Sequence, residues 1–451
     1  MYDATEDPAM AEIALHFPSP TRPGPYPDGE AMHALARRLF PICRSLTGEG
    51  VRDTLAILKE RLPGLEIQEV PSGTKCFDWT VPDEWNIRDA SLTGPSGETV
   101  AAFTDSNLHV VGYSVPVDRR LSLDDLQGHL HSLPELPDAI PYVTSYYNRN
   151  WGFCLPHRRR AALTPGTYRA FIDSTLAPGR LTYADLVLPG TSNQEVLVST
   201  YVCHPSLANN ELSGPVVSAQ LARWLAERRE RRLTYRFVFI PETIGSIVYL
   251  SRHLEHLKRH VVAGFNVTCV GDDRCYSYLP SRAGDTLADR VARHVLRHRA
   301  PDYLTYTFLD RGSDERQYCA PGIDLPVASV MRSKYGTYSE YHTSLDDLTL
   351  VTPLGLQGGF DALKECIEAL EMDTRYQATV LAEPQMGKRG LYSSLGTRDI
   401  DWSVRMRMDL LAYCDGEHSL LDIADILGVP IAQTFPFIAE LVEHGLLRRL
   451  D

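Results

Sequence analysis

Residues 195–215 read EVLVSTYVCHPSLANNELSGP. The run Glu195–Cys203 is apolar and β-branched without alternation, the pattern of a strand buried on both faces. It passes through His204 and a short polar stretch into Pro215–Glu227, whose apolar spacing is that of an amphipathic helix. A buried strand feeding a helix predicts a largely parallel α/β sheet. In such sheets functional side chains sit beyond the carboxyl ends of the strands, which puts His204 and Glu211 where a site belongs.

The same alternation continues outward. Strands are predicted at Arg236–Ile240, Val261–Val270 and Leu325–Met331, with helices at Ile244–Leu257, Asp285–Arg297 and Leu356–Met372. Upstream, helical spacing covers Glu30–Leu62 with a break at Leu-Thr-Gly-Glu-Gly, and residues 1–30 read as a loose lead-in. Between Cys76 and Tyr183 the texture is short β-type runs, among them Thr99–Phe103, Leu108–Tyr113 and Tyr168–Ile172. After Pro384 three helical stretches (Val404–Tyr413, Ser419–Leu427, Ile431–His444), a turn at Asp415-Gly416 and a strand-like ending predict a winged helix-turn-helix. The expected domains are therefore 30–75 with 184–383 as a catalytic unit, 76–183 as a β-rich insertion and 384–451 as the winged helix.

Composition bounds the partners. The 451 residues carry 45 Lys+Arg against 58 Asp+Glu, a net charge of −13. So acidic a surface repels phosphate, which argues against general nucleic-acid or anionic-membrane binding. From Pro384 onward seven Lys/Arg face ten Asp/Glu, and Ile431–His444 holds no Lys or Arg. The winged helix is thus expected to contact protein, and nucleic acid is not expected as a partner. The nine cysteines form no CxxC, the amino terminus lacks the pattern of a signal peptide, and no apolar run could span a bilayer. A soluble, cytoplasmic chain with no membrane partner is the expectation.

Candidate chemistry gathers at the strand ends. His204 and Glu211 could share a metal ion, although Asn and Glu there would also cap the following helix. Glu242, in Ile240-Pro241-Glu242-Thr243-Ile244-Gly245, sits where desolvation would raise its pKa, as a general base requires. Asp272, in Gly271-Asp272-Asp273, is a weaker candidate, because acids in turns are common. His342, in Tyr341-His342-Thr343-Ser344-Leu345-Asp346-Asp347, could ligate a metal with a nearby Asp on its other nitrogen. Asp314, Glu315 and Arg316 either form a salt-bridged turn or bind a zwitterion, the carboxylates taking an amine and the Arg a carboxylate. Tyr335, Tyr338 and Tyr341 line that pocket or only pack the loop. Phe77–Trp85 (FDWTVPDEW) reads as a packed corner, or as a lid edge that recognises part of a substrate.

CHPSLANNELSGP, PETIGSI, GSDERQYC and YHTSLDD, together with FDWTVPDEWNIRDA and PYVTSYYNRNWGFC, resemble a functionally uncharacterised bacterial zinc aminopeptidase-like family. The likeness runs from about residue 30 to the carboxyl terminus. It implies a zinc exopeptidase fold: a mostly parallel mixed sheet sandwiched by helices, with a β insertion and a C-terminal winged helix. By the same resemblance His204 and His342 take the first and last metal-ligand positions, and Glu242 that of the general base. Two-zinc members of the wider fold have Asp in place of Asn210, a second Glu at Thr243 and an Asp near Thr268. Their absence implies one zinc per chain, held by His204, Glu211 and His342 with Asp272 in reserve, or else Glu242 as a ligand.

The function expected is a zinc-dependent aminopeptidase-like hydrolase acting on the amide of a small peptide or aminoacyl compound, with Asp314 and Glu315 holding its amine. The alternatives are metal-assisted acyl chemistry on a biosynthetic intermediate (cyclisation, ester cleavage or amide formation), a binding protein without catalysis, and a winged-helix regulator. A homo-oligomer is expected from the apolar appended module.

Overall fold

The computed structural model describes residues 26–391 and 402–450. Most of the loose lead-in expected over residues 1–30 lies outside them; the helix α1 (Pro27–Leu39) already begins at Pro27, followed by α2 (Glu49–Arg61).

The centre is an eight-stranded mixed sheet. Its strands are β1 (Glu66–Pro71), β2 (Arg180–Leu188), β3 (Glu195–Tyr201), β4 (Thr234–Ile240), β5 (Val261–Asn266), β6 (Ser277–Leu279), β7 (Leu304–Thr305) and β8 (Val327–Met331). They lie in the order β1-β2-β4-β3-β5-β8-β6-β7. The middle four, β4-β3-β5-β8, are parallel, while β1, β2 and β6 join antiparallel to their inner neighbours. All seven residues of β3 and of β4 are buried, as expected for parallel strands covered on both faces.

The covering layers follow from the alternation of side chains along each strand. Val196, Val198, Tyr235, Phe237 and Phe239 face α1, α3 (Ser213–Glu227), α5 (Leu287–Arg299) and α6 (Pro353–Met372). Leu197, Tyr201, Val238 and Ile240 face α4 (Ile244–His260) through Ile244, Ile247 and Val248. Each such side chain contributes about 1.5–3 kcal/mol on burial, so the sheet end that carries the site is rigid.

The insertion is built on a four-stranded antiparallel sheet of Thr99–Ala102, Glu84–Thr93, Thr167–Ala177 and Val117–Ser122, in that order. The strand expected over Leu108–Tyr113 is instead a 3₁₀ turn, Asn107–His109, followed by isolated bridges. The strand expected over Val261–Val270 shortens to Val261–Asn266.

In the C-terminal unit α7 (Trp402–Tyr413), α8 (Leu420–Leu427) and α9 (Ile431–Glu443) pack on a small sheet of Asp415–Ser419, Arg375–Ala378 and Leu447–Arg449. The turn expected at Asp415-Gly416 is the start of a strand, and one strand of the unit comes from upstream of Pro384. This unit docks on α5: Arg290 Nη2 lies 2.5 Å from Asp422 Oδ1, and His294 Nδ1 lies 2.8 Å from Asp425 Oδ1. His294 Nε2 accepts from the Ile431 amide at 3.0 Å, so its proton sits on Nδ1. Leu363, Ile367 and Leu370 of α6 share one apolar core with Leu421, Ile438 and Leu441. Among the described residues no single helix is long and apolar enough to cross a membrane.

Candidate metal-dependent active site

His204 and Glu242 leave neighbouring parallel strands. Tyr201 on β3 is in register with Ile240 on β4, and the Val202 amide still bonds to the Ile240 carbonyl at 2.8 Å. Three residues beyond Tyr201 and two beyond Ile240, the side chains meet: His204 Nε2 lies 3.5 Å from Glu242 Oε2. Glu242 is held by a tight turn. The Ile244 amide donates to the Glu242 carbonyl at 2.8 Å while Thr243 sits at φ 64°, ψ −74°, the positive-φ γ-turn that is rare and strained.

His342 arrives from the long loop after β8. The insertion pins that loop: the Tyr142 amide donates to the His342 carbonyl at 2.8 Å, the Ser344 amide donates to the Ile140 carbonyl at 2.8 Å, and Pro141 bridges Thr343. The His204 and His342 ring centroids are 5.6 Å apart. Two imidazoles on one tetrahedral zinc, with Zn–N about 2.0–2.1 Å, would have centroids roughly 5 Å apart, a spacing close to this one. The Tyr142 ring centroid lies 5.2 Å from those of both histidines in near-perpendicular contacts, that of Tyr201 lies 5.3 Å from His204, and Tyr341 stacks on His342 at 3.9 Å. These rings pack around the histidines, of which His204 is buried and His342 half-buried.

Glu211 stands on the opposite side of His204, where Nδ1 donates to its Oε2 at 2.7 Å. Arg44 completes that buried layer. Its Nε lies 3.6 Å from Glu211 Oε1 and donates to the His204 carbonyl at 2.9 Å, and both side chains are fully buried. Among the described residues Cys203, His204 and Glu211 are the one trio of His, Cys, Asp or Glu whose donor atoms all lie within 4.8 Å of one another. The guanidinium beside Glu211 repels a cation there, and burial pushes the Cys203 thiol up to about 11, so it is no thiolate at neutral pH. That leaves the Nε2 side of His204, where Glu242 stands at 3.5 Å, as the candidate cation site.

Electrostatics agree. Burial alone would lower the His204 pKa, yet Cys203 and Glu211 raise it well above its usual value; with Cys203 neutral, Glu211 supplies the attraction. Burial lowers the His342 pKa to about 3, with His204 adding to the effect, so this ring is a neutral donor at physiological pH. Desolvation raises Glu242 against the opposing pull of His204. An imidazole wedged between two carboxylates marks a place that attracts positive charge.

The other expected site residues are placed around this centre in different ways. Asp272 is buried and accepts from Asn209 Nδ2, the Arg274 and Ser333 amides and Ser333 Oγ at 2.8–3.0 Å, so both its oxygens are engaged by local donors. Glu315 accepts from Gly312, Ser313, Tyr335 and Asn266 at 2.7–3.0 Å. Asp314 Oδ1 takes the Thr243 amide and Ser246 Oγ, each at 2.7 Å; burial and the nearby Glu242 push its carboxyl to about 7. Arg316 donates to Thr243 Oγ1 at 2.6 Å, beneath the γ-turn. Tyr338 donates to Asp346 Oδ2 at 3.0 Å, and Asp346 also accepts the Asn209 and Asn210 amides. Asp346 thereby holds the wide turn Ala208–Leu212 that carries Glu211.

Four further residues belong to the site. Arg44 gives no sequence signal, since its partners are about 160 positions away. Tyr142 and Asp346 lie within motifs quoted above. Tyr201 fills the space between Asn210 and Thr268: its hydroxyl is 2.6 Å from Thr268 Oγ1, donates to the Asn210 carbonyl at 2.8 Å, and accepts from Asn210 Nδ2 at 2.8 Å. A phenol and two neutral side chains occupy this corner, which offers a second cation no carboxylate.

Comparison with known proteins places this geometry. A domain of unknown function, DUF4910, matches residues 33–373, and a winged helix-turn-helix matches residues 374–449. A Clostridium acetobutylicum protein is 44% identical over 398 residues, covering 88% of this chain and 91% of its own; it is named as a candidate polysaccharide biosynthesis protein with an aminopeptidase-like domain. A crystal structure from Clostridium acetobutylicum, described as a candidate peptidase, has a TM-score of 0.89 at 41% identity, covering 94% of this chain and 97% of that one. A zinc aminopeptidase from Bacillus subtilis, BSAP, shares 13% identity with a TM-score of 0.54, covering 76% of this chain and 94% of its own. The fold is therefore that of the aminopeptidases.

Proposed function

The chain belongs to the DUF4910 family, joined here to a winged helix-turn-helix, and on that premise we propose that it is a single-zinc, aminopeptidase-like hydrolase. Its substrate is the amide bond of a small peptide or aminoacyl compound. The relative named for polysaccharide biosynthesis directs the choice among aminoacyl compounds toward those carried on sugars.

His204, through Nε2, and His342 are the groups that would hold the zinc. Bound there, zinc would polarise the amide carbonyl and lower the pKa of its water. Glu211 holds one proton on His204 Nδ1, so Nε2 is the atom that would meet zinc, giving up the proton that the raised pKa keeps there. Glu242, with its pKa raised by desolvation, takes a proton from the attacking water at Oε2 and returns it to the leaving amine. The C–N bond breaks, the water oxygen stays on the acyl carbon, and the amine leaves protonated. Tyr142, Tyr201 and Tyr341 surround the histidines with low-dielectric ring surface, which strengthens each of these interactions.

The observation that carries this reading is the ring of His204, anchored at 2.7 Å by Glu211 and presented to Glu242 at 3.5 Å with His342 opposite. Zinc content of the purified full chain tests it, alongside turnover of aminoacyl-anilides. About one zinc per chain is expected, lost in His342→Ala. Undiminished zinc in that variant, or no turnover of any aminoacyl amide with zinc restored, overturns it.

A further inference from the structure

The FDWTVPDEW segment is not used by the chemistry above, yet it adjoins it. Lys75–Cys76 and Trp79–Thr80 form a tight hairpin, with Phe77 at φ 54° in its turn. Cys76 is buried in the same apolar cluster as Ile244 and Ile247, the residues that follow Glu242 into α4. The hairpin is thereby fixed at the edge of the site.

A second segment meets it. Tyr142 and Tyr146 come from one stretch of the insertion, their hydroxyls 3.5 Å apart, and Tyr142 faces both histidines. The next residue, Tyr147, turns outward: its ring centroid lies 6.1 Å from that of Trp79 at 60°, and its hydroxyl donates to the Thr80 carbonyl at 3.0 Å. Phe77, Trp79 and Tyr147 are 57%, 39% and 50% exposed, the three exposed large hydrophobics of residues 75–83 and 146–150. One rim of the site is therefore a fixed, solvent-facing aromatic platform.

Its polar surroundings indicate what lies on it. Asp78, Asn148, Arg149 and Asn150 are exposed beside the rings, and Arg149 Nη2 reaches Asp83 Oδ2 at 3.3 Å. Aromatics and Arg also gather at protein interfaces, so the choice of occupant rests on the 44% identical relative named for polysaccharide biosynthesis. Aromatic faces edged by carboxylate, guanidinium and amide groups suit a ring with an apolar C–H face and a rim of hydroxyls. The C–H face packs on the π-systems, and the planar polar groups take the hydroxyls.

We infer that Trp79 and Tyr147 form a subsite for a sugar ring, and that the amide cleaved at Glu242 joins an acyl group to the nitrogen of an amino sugar. This rests on the hydrolase reading and narrows its substrate to an aminoacyl hexosamine. The aromatic platform holds the sugar while its N-acyl group reaches inward past Tyr146 and Tyr142.

Saturation-transfer NMR of the full chain with N-glycyl-glucosamine tests the subsite without turnover. Saturation of the sugar ring protons is expected, with affinity reduced at least tenfold in Trp79→Ala and in Tyr147→Ala. Trp79→Phe keeps a stacking face and is expected to stay within about threefold of the parent. Because both side chains are exposed, thermal melts of the variants serve as the folding control. Absence of ring-proton saturation in the parent, or unchanged affinity in Trp79→Ala, overturns the subsite. Failure of the hydrolase reading is seen separately, in zinc content and anilide turnover.

Discussion

Glu211 Oε2 accepts the Nδ1 proton of His204 at 2.7 Å, and the Arg44 guanidinium closes on the other carboxylate oxygen at 3.6 Å. The three side chains form a buried relay whose product is the orientation of one imidazole. Glu211→Gln keeps the shape but offers a neutral acceptor in place of the carboxylate. It is expected to weaken zinc affinity by about 10–100-fold, the usual cost of losing such a partner, as read by competition with a chelator.

Arg44 carries the stability of that relay. Arg44→Met leaves the buried Glu211 carboxylate without its cation, and breaking a buried pair from one side costs about 3–5 kcal/mol. The double variant Arg44→Met/Glu211→Gln removes both charges and is expected to recover most of the loss. Urea melts of the three variants measure the recovery, and equal destabilisation of single and double variants contradicts the pairing.

The γ-turn at Thr243 stores strain where the base sits. A β-branched residue at φ 64° costs on the order of 1–3 kcal/mol relative to a residue free to adopt it. Thr243→Gly is expected to raise stability by about 1 kcal/mol, the gain being trimmed by loss of the 2.6 Å bond from Arg316. With the turn loosened, Glu242 loses its fixed approach to the water. The same variant is expected to lower kcat about tenfold with zinc content unchanged.

How much of this was legible in the sequence depends on the range of the interaction. β3 and β4 were readable because the largely apolar runs Glu195–Cys203 and Arg236–Ile240 end just before His204 and Glu242, and strand-end placement follows from the parallel topology alone. His342 could be found as a residue type, but its place depends on the insertion pinning its backbone through Tyr142, a contact 200 positions apart. Glu211 was expected as a ligand, because spacing cannot tell which face of an imidazole a carboxylate will meet. Asp314 and Glu315 read as an amine-binding pair, whereas local amides and hydroxyls take their oxygens, a choice fixed by loop geometry. The Leu108–Tyr113 run has strand composition, and the turn Asn107–His109 breaks it because Ser106 Oγ accepts the Leu108 amide.

Asp314 makes stability fall as pH rises. Its folded pKa of about 7 lies above the ordinary carboxyl value of 3.8, so between these the native state holds a proton that the unfolded chain has released. The linkage slope is then negative: the contribution is present below about pH 4 and is lost by about pH 7. Asp346, raised by burial to about 6, acts in the same direction over a narrower window. Asp314→Asn removes the titration while an amide can still accept from Thr243 and Ser246. The expected result is a flatter stability profile from pH 5 to 8, with the variant at least as stable as the parent at pH 8. Denaturant melts across that range check it, and a parent profile that rises from pH 5 to 8 while the variant's stays flat refutes the assignment.

The winged helix is bound into the protein by both charge and core. Asp422 and Asp425 meet Arg290 and His294, and the Ile431 amide caps onto His294 Nε2, while Leu421, Ile438 and Leu441 share a core with α6. Removing residues 374–451 exposes Leu363, Ile367 and Leu370 together, each a loss of about 1.5–3 kcal/mol of burial and jointly an aggregation-prone face. The truncated chain is therefore expected to be insoluble. In the full chain α9 has no Lys or Arg and presents Phe435 and Val442 outward at 44% and 40% exposure. A DNA reader neutralises phosphates with basic side chains, and its affinity follows their number. No salt-dependent shift of random duplex DNA is expected at 50 mM salt; a retarded complex that dissolves by 200 mM would show that the acidic balance conceals a local basic surface.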